Sequence, residues 1–195
     1  QAMLAELAER EGVVPGGEAS GEEGEDAPPQ SAILAGTIYR PTLNHKRTVW
    51  FLSVRKWRAS AYRRALASLK EIKAERCAAV ERLVAEEIAA VLKELAHRLS
   101  GFWVTAPPGG AMRAHSEDYH FADAIGQVVA SILGVDFVKV FADRPQQRGS
   151  HPRTWDSRGD LAFCGPLPAG PCILVDDVAT SGTTIESCAN LIGAE

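Results

Sequence analysis

Apolar residues in this chain recur with two different rhythms, and the change from one to the other divides it. Between Ala59 and Leu99 there is neither Pro nor Gly, and Leu69, Val80, Val84, Ile88, Val91, Leu95 and Leu99 return at helical intervals. That spacing puts them on one stripe of a helix, with room for one break. Unbroken, such a helix would reach roughly 60 Å at 1.5 Å per residue. Ser100 and Gly101 are expected to end it, since Gly suits the turn after a helix C-terminus.

From Phe102 the rhythm changes to short apolar runs alternating with helical ones. Phe102 to Thr105 predicts a strand, and Ala106, Pro107, Pro108, Gly109 and Gly110 a loop. Tyr119 to Leu133 predicts a helix with Phe121, Ile125, Val128, Val129 and Ile132 on one face, stopped by Gly134. Asp136 to Phe141 predicts a second strand, the polar stretch Ala142 to Asp160 a long loop, and Cys172 to Val175 a third strand leading to a helix over Thr184 to Ile192. Continuous apolar strands separated by helices imply a parallel sheet in an α/β domain.

Upstream, residues 47–54 (RTVWFLSV) carry the β-branched and aromatic residues of a short strand. Residues 11–31 are rich in Gly, Glu, Pro and Ser, too polar to offset the entropy of ordering, and read as a disordered linker. Three regions are therefore expected: an acidic linker over 1–31, a basic and mostly helical segment over 32–100, and an α/β core over 101–195.

Charge sharpens this division. The net charge of −4 conceals eight acids against Arg10 in residues 1–31, and eleven Lys or Arg against Glu71 and Glu75 in residues 40–76. With Trp50, Phe51, Trp57 and Tyr62 interleaved, segment 40–76 can contact phosphate backbones and stack on bases, so nucleic acid is a candidate partner. A basic helix face pairing with acidic surface, or with residues 18–26 of the same chain, explains the charge equally well. The long amphipathic helix makes a homodimer a further expectation.

No apolar run approaches the roughly 18 residues of a membrane span, and no membrane partner is expected. Gln1 to Arg10 lack the basic start and apolar stretch of a secretory signal. The chain opens on Gln, so its natural start is expected further upstream. Cys77, Cys164, Cys172 and Cys188 form no C-x-x-C pair, which argues against zinc and for reduced thiols in a cytoplasmic setting. His115 and His120 with Asp123 match no metal-ligand spacing and read as polar residues at a loop and helix start, while His45, His97 and His151 are isolated.

The densest chemistry lies in Cys172 to Ile185 (CILVDDVATSGTTI). Two acids, Asp176 and Asp177, end an apolar strand, and Val178, Ala179, Thr180, Ser181, Gly182, Thr183 and Thr184 then turn into a helix. Ligands bind at the carboxyl ends of strands in open α/β sheets. Gly182 lets backbone approach a ligand closely, and amides from Ala179 to Thr184 at a helix start favour an anion. Thr183 with Glu186 matches a capping box. A phosphate monoester fits such a cradle, and Asp176 and Asp177 are placed to accept hydroxyl hydrogen bonds or to hold Mg2+. The plain alternative is a strand ending in acids that cap an ordinary helix.

This stretch resembles the PRPP motif of type I phosphoribosyltransferases; PRPP is the pyrophosphate-activated ribose 5-phosphate, and Glu117 to Asp123 with Gln146, Gln147 and Arg148 resemble the competence-protein-F-like group within that family. The resemblance covers about residues 101–195. It implies a Rossmann-like core, contacts from Asp176 and Asp177 to the ribose hydroxyls, and a 5′-phosphate on Ala179 and Thr180 to Thr184. It implies a pyrophosphate loop at Ala106, Pro107, Pro108 and Gly109. A hood over Ala142 to Asp160 would carry Arg144 and Arg148, with Arg153 and Arg158 beyond them. Transfer of phosphoribosyl to a nucleobase or amine, with Mg2+ bound and pyrophosphate released, is the implied activity. A non-catalytic PRPP or nucleotide sensor and a DNA-processing accessory are the alternatives. The group's upstream zinc module has no counterpart here, and the family would continue beyond Glu195 into another core strand.

Overall fold

The structure is a computed structural model and describes residues 29–61, 67–69, 71–73, 76–96, 99–109, 119–143, 161–179 and 181–194. Its sheet has three parallel strands in the order β4–β3–β5, with β3 at Trp103–Thr105, β4 at Asp136–Phe137 and β5 at Cys172–Leu174. The ladder runs slightly past the strands, through Val138 N–H to the Val104 carbonyl (2.8 Å) and Val175 N–H to the Thr105 carbonyl (2.9 Å). All three residues of β3 are buried, which is why the central strand reads as an uninterrupted apolar run.

Helix α3 (Phe121–Leu133) connects β3 to β4, and α4 (Thr183–Ile192) follows β5. Gly134 ends α3 in the left-handed region at φ 69°, donating its N–H back to the last turn, as the sequence predicts. The chain passes from β4 to β5 across β3. The strand order thus reverses between β3 and β5, and the carboxyl ends of strands at such a reversal are the usual ligand position in these sheets.

The upstream segment departs from the mostly helical expectation. Thr37–Lys46 (β1) and Val49–Trp57 (β2), preceded by the short helix α1 (Pro29–Gly36), form an antiparallel hairpin turning at Arg47, whose φ is 44°. Only residues 47–54 look strand-like in sequence. Pro41 masks β1, because proline donates no ladder hydrogen bond; it is tolerated at the register irregularity between Tyr39 and Thr42. The helical stretch is also broken. Arg76 adopts φ 56° and Cys77 is extended, so helix α2 spans only Ala78–Leu95, about 27 Å. It ends at Ala96, ahead of the expected stop at Ser100 and Gly101.

One core joins both parts. Ile33, Leu69, Ile72, Val80 and Ala85 pack in the same buried cluster as Val104, Phe121, Ile125, Val129 and Val175. The small Ala85 and Ala89 face inward on α2, which packs along α3. The hairpin is pinned to α2 by Arg55, whose Nε and Nη2 bond both oxygens of Glu87 at 2.7 and 2.8 Å while Nη1 donates to Thr37 Oγ1 at 2.9 Å. No described helix is long and apolar enough to cross a membrane.

Candidate functional site

Strand β5 delivers Val175, buried in the core, and then Asp176 and Asp177 at its carboxyl end. The turn that follows, with Asp176, Val178, Ala179 and Ser181 to Ile185, lines a small polar cleft of about 30 Å3 that opens to solvent. Thr180 lies outside the described residues, as do Arg144 and Arg148 of the expected hood, Gly110, His97, His115 and His151.

At the start of α4 the N-cap is Gly182, at φ 70° and ψ 4°. The first intrahelical bond runs from Glu186 N–H to the Gly182 carbonyl at 2.9 Å. The amides before Glu186 therefore have no acceptor within the helix, the arrangement that favours an anion. Thr183 N–H makes one long contact with Ser181 Oγ at 3.4 Å, and the Ser181 and Thr183 hydroxyls share a hydrogen bond of 2.9 Å. The expected capping box does not form. Thr183 is the first helical residue rather than the cap, and Glu186 is buried on the helix. The left-handed turn at Gly182 shifts the helix start by one position.

The two acids stay side by side but differ in their partners. Asp176 faces the cleft, and its Oδ1 accepts the backbone N–H of Asp177 at 2.9 Å. Asp177 forms an ion pair with Lys73 Nζ from the upstream helical stretch while its carboxyl remains next to that of Asp176. Lys73 leaves the Asp177 side chain only 11% exposed. Desolvation and the neighbouring Asp177 carboxylate push the Asp176 carboxyl well above the usual carboxylate range, only partly countered by the Asp177 N–H and Lys73.

The hairpin forms one wall beside the loop. A Cβ on Gly182 would stand 2.8 Å from Phe51 Cε1 and 3.5 Å from Lys46 Cβ, so only glycine fits between the turn and the hairpin. Thr48 Oγ1 adds a hydrogen bond to Asn190 Oδ1 on α4 at 3.2 Å.

The loop after β3 sits at the adjacent strand end. Ala106, Pro107, Pro108 and Gly109 are all buried, and the two prolines carry no N–H, which leaves the amides of Ala106 and Gly109. The Thr105 hydroxyl, at the end of β3, is buried with no hydrogen-bond partner among the described residues. Beside Gly109 stand His120 and Asp143, whose Cδ2 and Oδ1 would meet a Cβ there at 3.4 and 3.7 Å. His120 caps α3, as expected of a polar residue at a helix start. Its Nδ1 comes within 3.1 Å of Asp123 Oδ1 but off the direction a hydrogen bond needs. Among the described residues no group of three or more His, Cys, Asp or Glu can hold a metal ion. A cation here would need ligands from a bound molecule besides Asp176.

The sequence does not place Lys73, Phe51, Lys46 or Thr105 at this site, although Phe51 and the two lysines fall in the basic segment 40–76. The first three reach the loop through tertiary contacts, and Thr105 reads as an ordinary strand residue. Comparison with protein-family models, with curated proteins and with solved structures finds no match for this chain.

Proposed function

We propose that the chain binds PRPP with Mg2+ through the turn after β5 and transfers its phosphoribosyl group to a nucleobase or amine, releasing pyrophosphate. One observation carries this reading: a carboxylate (Asp176), hydroxyls (Ser181, Thr183, Thr184) and helix-start amides without an acceptor inside α4 line a single cleft at the carboxyl end of a parallel strand. The amides of Gly182 to Ile185 would hold the 5′-phosphate at the positive end of α4. Asp176 would accept a ribose hydroxyl or one coordination position of the cation. Mg2+ commonly takes one or two carboxylates and completes its shell with substrate phosphates and water, so the single acid facing the cleft suits it. When bound, it would neutralise charge on the departing pyrophosphate. The chain's own part is positioning: the turn after β5 would hold the 5′-phosphate, while the amides of Ala106 and Gly109 would meet the charge that develops on pyrophosphate as the C1–O bond breaks.

A non-catalytic PRPP or nucleotide sensor is the second reading. It is favoured by Lys73, which already satisfies Asp177, and by the two N–H-free prolines of the loop after β3. Calorimetric titration of the native chain and of D176N/D177N with PRPP and Mg2+ tests the shared claim. Unchanged affinity in the double variant removes the site. Pyrophosphate release from PRPP over a panel of bases and amines then separates enzyme from sensor.

A further inference from the structure

The hairpin β1–β2 has two unlike faces. Cross-strand partners share a face, and the register pairs Asn44 with Phe51 on one side and His45 with Trp50 and Ile38 with Lys56 on the other. The Phe51 side meets Gly182 of the loop, and Arg55, also on that side, meets Glu87. The opposite side opens to solvent at Ile38, His45 and Trp50, while Leu43, Leu52, Val54 and Lys56 on it are half-buried. There Trp50 is 52% and Ile38 45% exposed, and the His45 ring lies 4.4 Å from the Trp50 ring, tilted by 34°.

The charge on this element has one sign. Residues 37–58 contain no Asp or Glu and six Lys or Arg. Arg55 is neutralised by Glu87, whereas Lys46, Arg47, Lys56 and Arg58 have no ion pair among the described residues. Cations flanking an exposed aromatic pair form a surface complementary to a polyanion with planar rings.

We infer that the solvent face of the hairpin binds single-stranded nucleic acid, with a base stacked on Trp50 and His45 and phosphates on Lys56, Arg58 and Arg47. A single strand suits it better than a duplex, because Trp50 offers a ring face and stacking requires an unpaired base. This inference stands on the hairpin alone and does not depend on the PRPP reading.

Fluorescence anisotropy with the full chain and labelled oligothymidine and oligouridine, over a salt series, tests it. The expected result is salt-sensitive binding that weakens about tenfold in Trp50→Ala, in line with the loss of one stacked base, and is largely kept in Trp50→Phe. Lys56→Gln/Arg58→Gln should lower the slope of log affinity against log salt by about 1.4, at roughly 0.7 per phosphate contact for single strands. Absence of binding at low salt would overturn the inference, as would affinity unmoved by Trp50→Ala. A preference for duplex, or for vesicles containing anionic lipid, would overturn it too. So would sedimentation showing a dimer that Trp50→Ala dissociates, since the face would then belong to a second copy.

Discussion

Lys73 and Asp177 form an ion pair that ties the basic upstream stretch to the acidic end of β5. Its consequence is a division of labour between neighbouring acids: Asp177 is held by the protein, and Asp176 is left facing the cleft.

Replacing Lys73 by Met should therefore destabilise the fold, and it also removes a cation that helps hold down the raised Asp176 carboxyl. It strands a mostly covered carboxylate, and because Lys73 itself is 39% exposed the cost is about 1–2 kcal/mol, below that of a fully buried pair. In a chain of this size that lowers Tm by a few degrees, roughly 2–4 °C per kcal/mol. K73M/D177N should recover most of the loss in thermal melts.

Ligand-free stability should depend on pH through Asp176. Its carboxyl is raised in the folded state, so the fold holds this proton more tightly than the unfolded chain does. Stability from this group is then complete below the ordinary carboxylate range and is lost as pH rises through the raised folded value. Asp176→Asn should flatten that part of the Tm–pH profile and melt higher than the native chain above the window.

The same substitution should weaken PRPP. A hydrogen bond to a charged acceptor is worth roughly 1.5–3 kcal/mol, so Asp176→Asn should cost about tenfold or more in affinity. Native affinity should rise with pH as the carboxyl ionises, and the Asn variant should lose that rise. Titration at several pH values checks both.

Gly182→Ala should disturb the turn in two separable ways. A side chain at φ 70° costs about 1–2 kcal/mol, and its Cβ would also meet Phe51 at 2.8 Å. In a double-mutant cycle with Phe51→Ala the clash is relieved and the backbone penalty stays, so the double variant should lose less stability than the two single losses summed. Urea melts of the four proteins read it out.

Loosening the hairpin should expose it to protease. Arg55→Lys keeps the charge but loses the two-pronged grip on Glu87 and the bond to Thr37, a loss of about 1 kcal/mol. Cleavage around residues 37–57 should accelerate while α3 and the parallel strands remain protected.

The strand–helix–strand order of residues 102–192, the glycine stop at Gly134 and the polar turn after β5 could be read from the sequence alone. Each follows from local pattern: apolar runs that must be buried on both faces, a helical stripe, and residues whose conformational freedom suits one kind of turn. Hairpin strand β1 was hidden by Pro41, and the break at Arg76 and Cys77 carries neither Pro nor Gly to announce it. Which acid faces the cleft, why position 182 admits only glycine, and which side of the hairpin meets solvent depend on Lys73, Phe51 and Arg55. Those residues reach their partners through folding, and a one-dimensional pattern carries no distance between positions far apart in the chain.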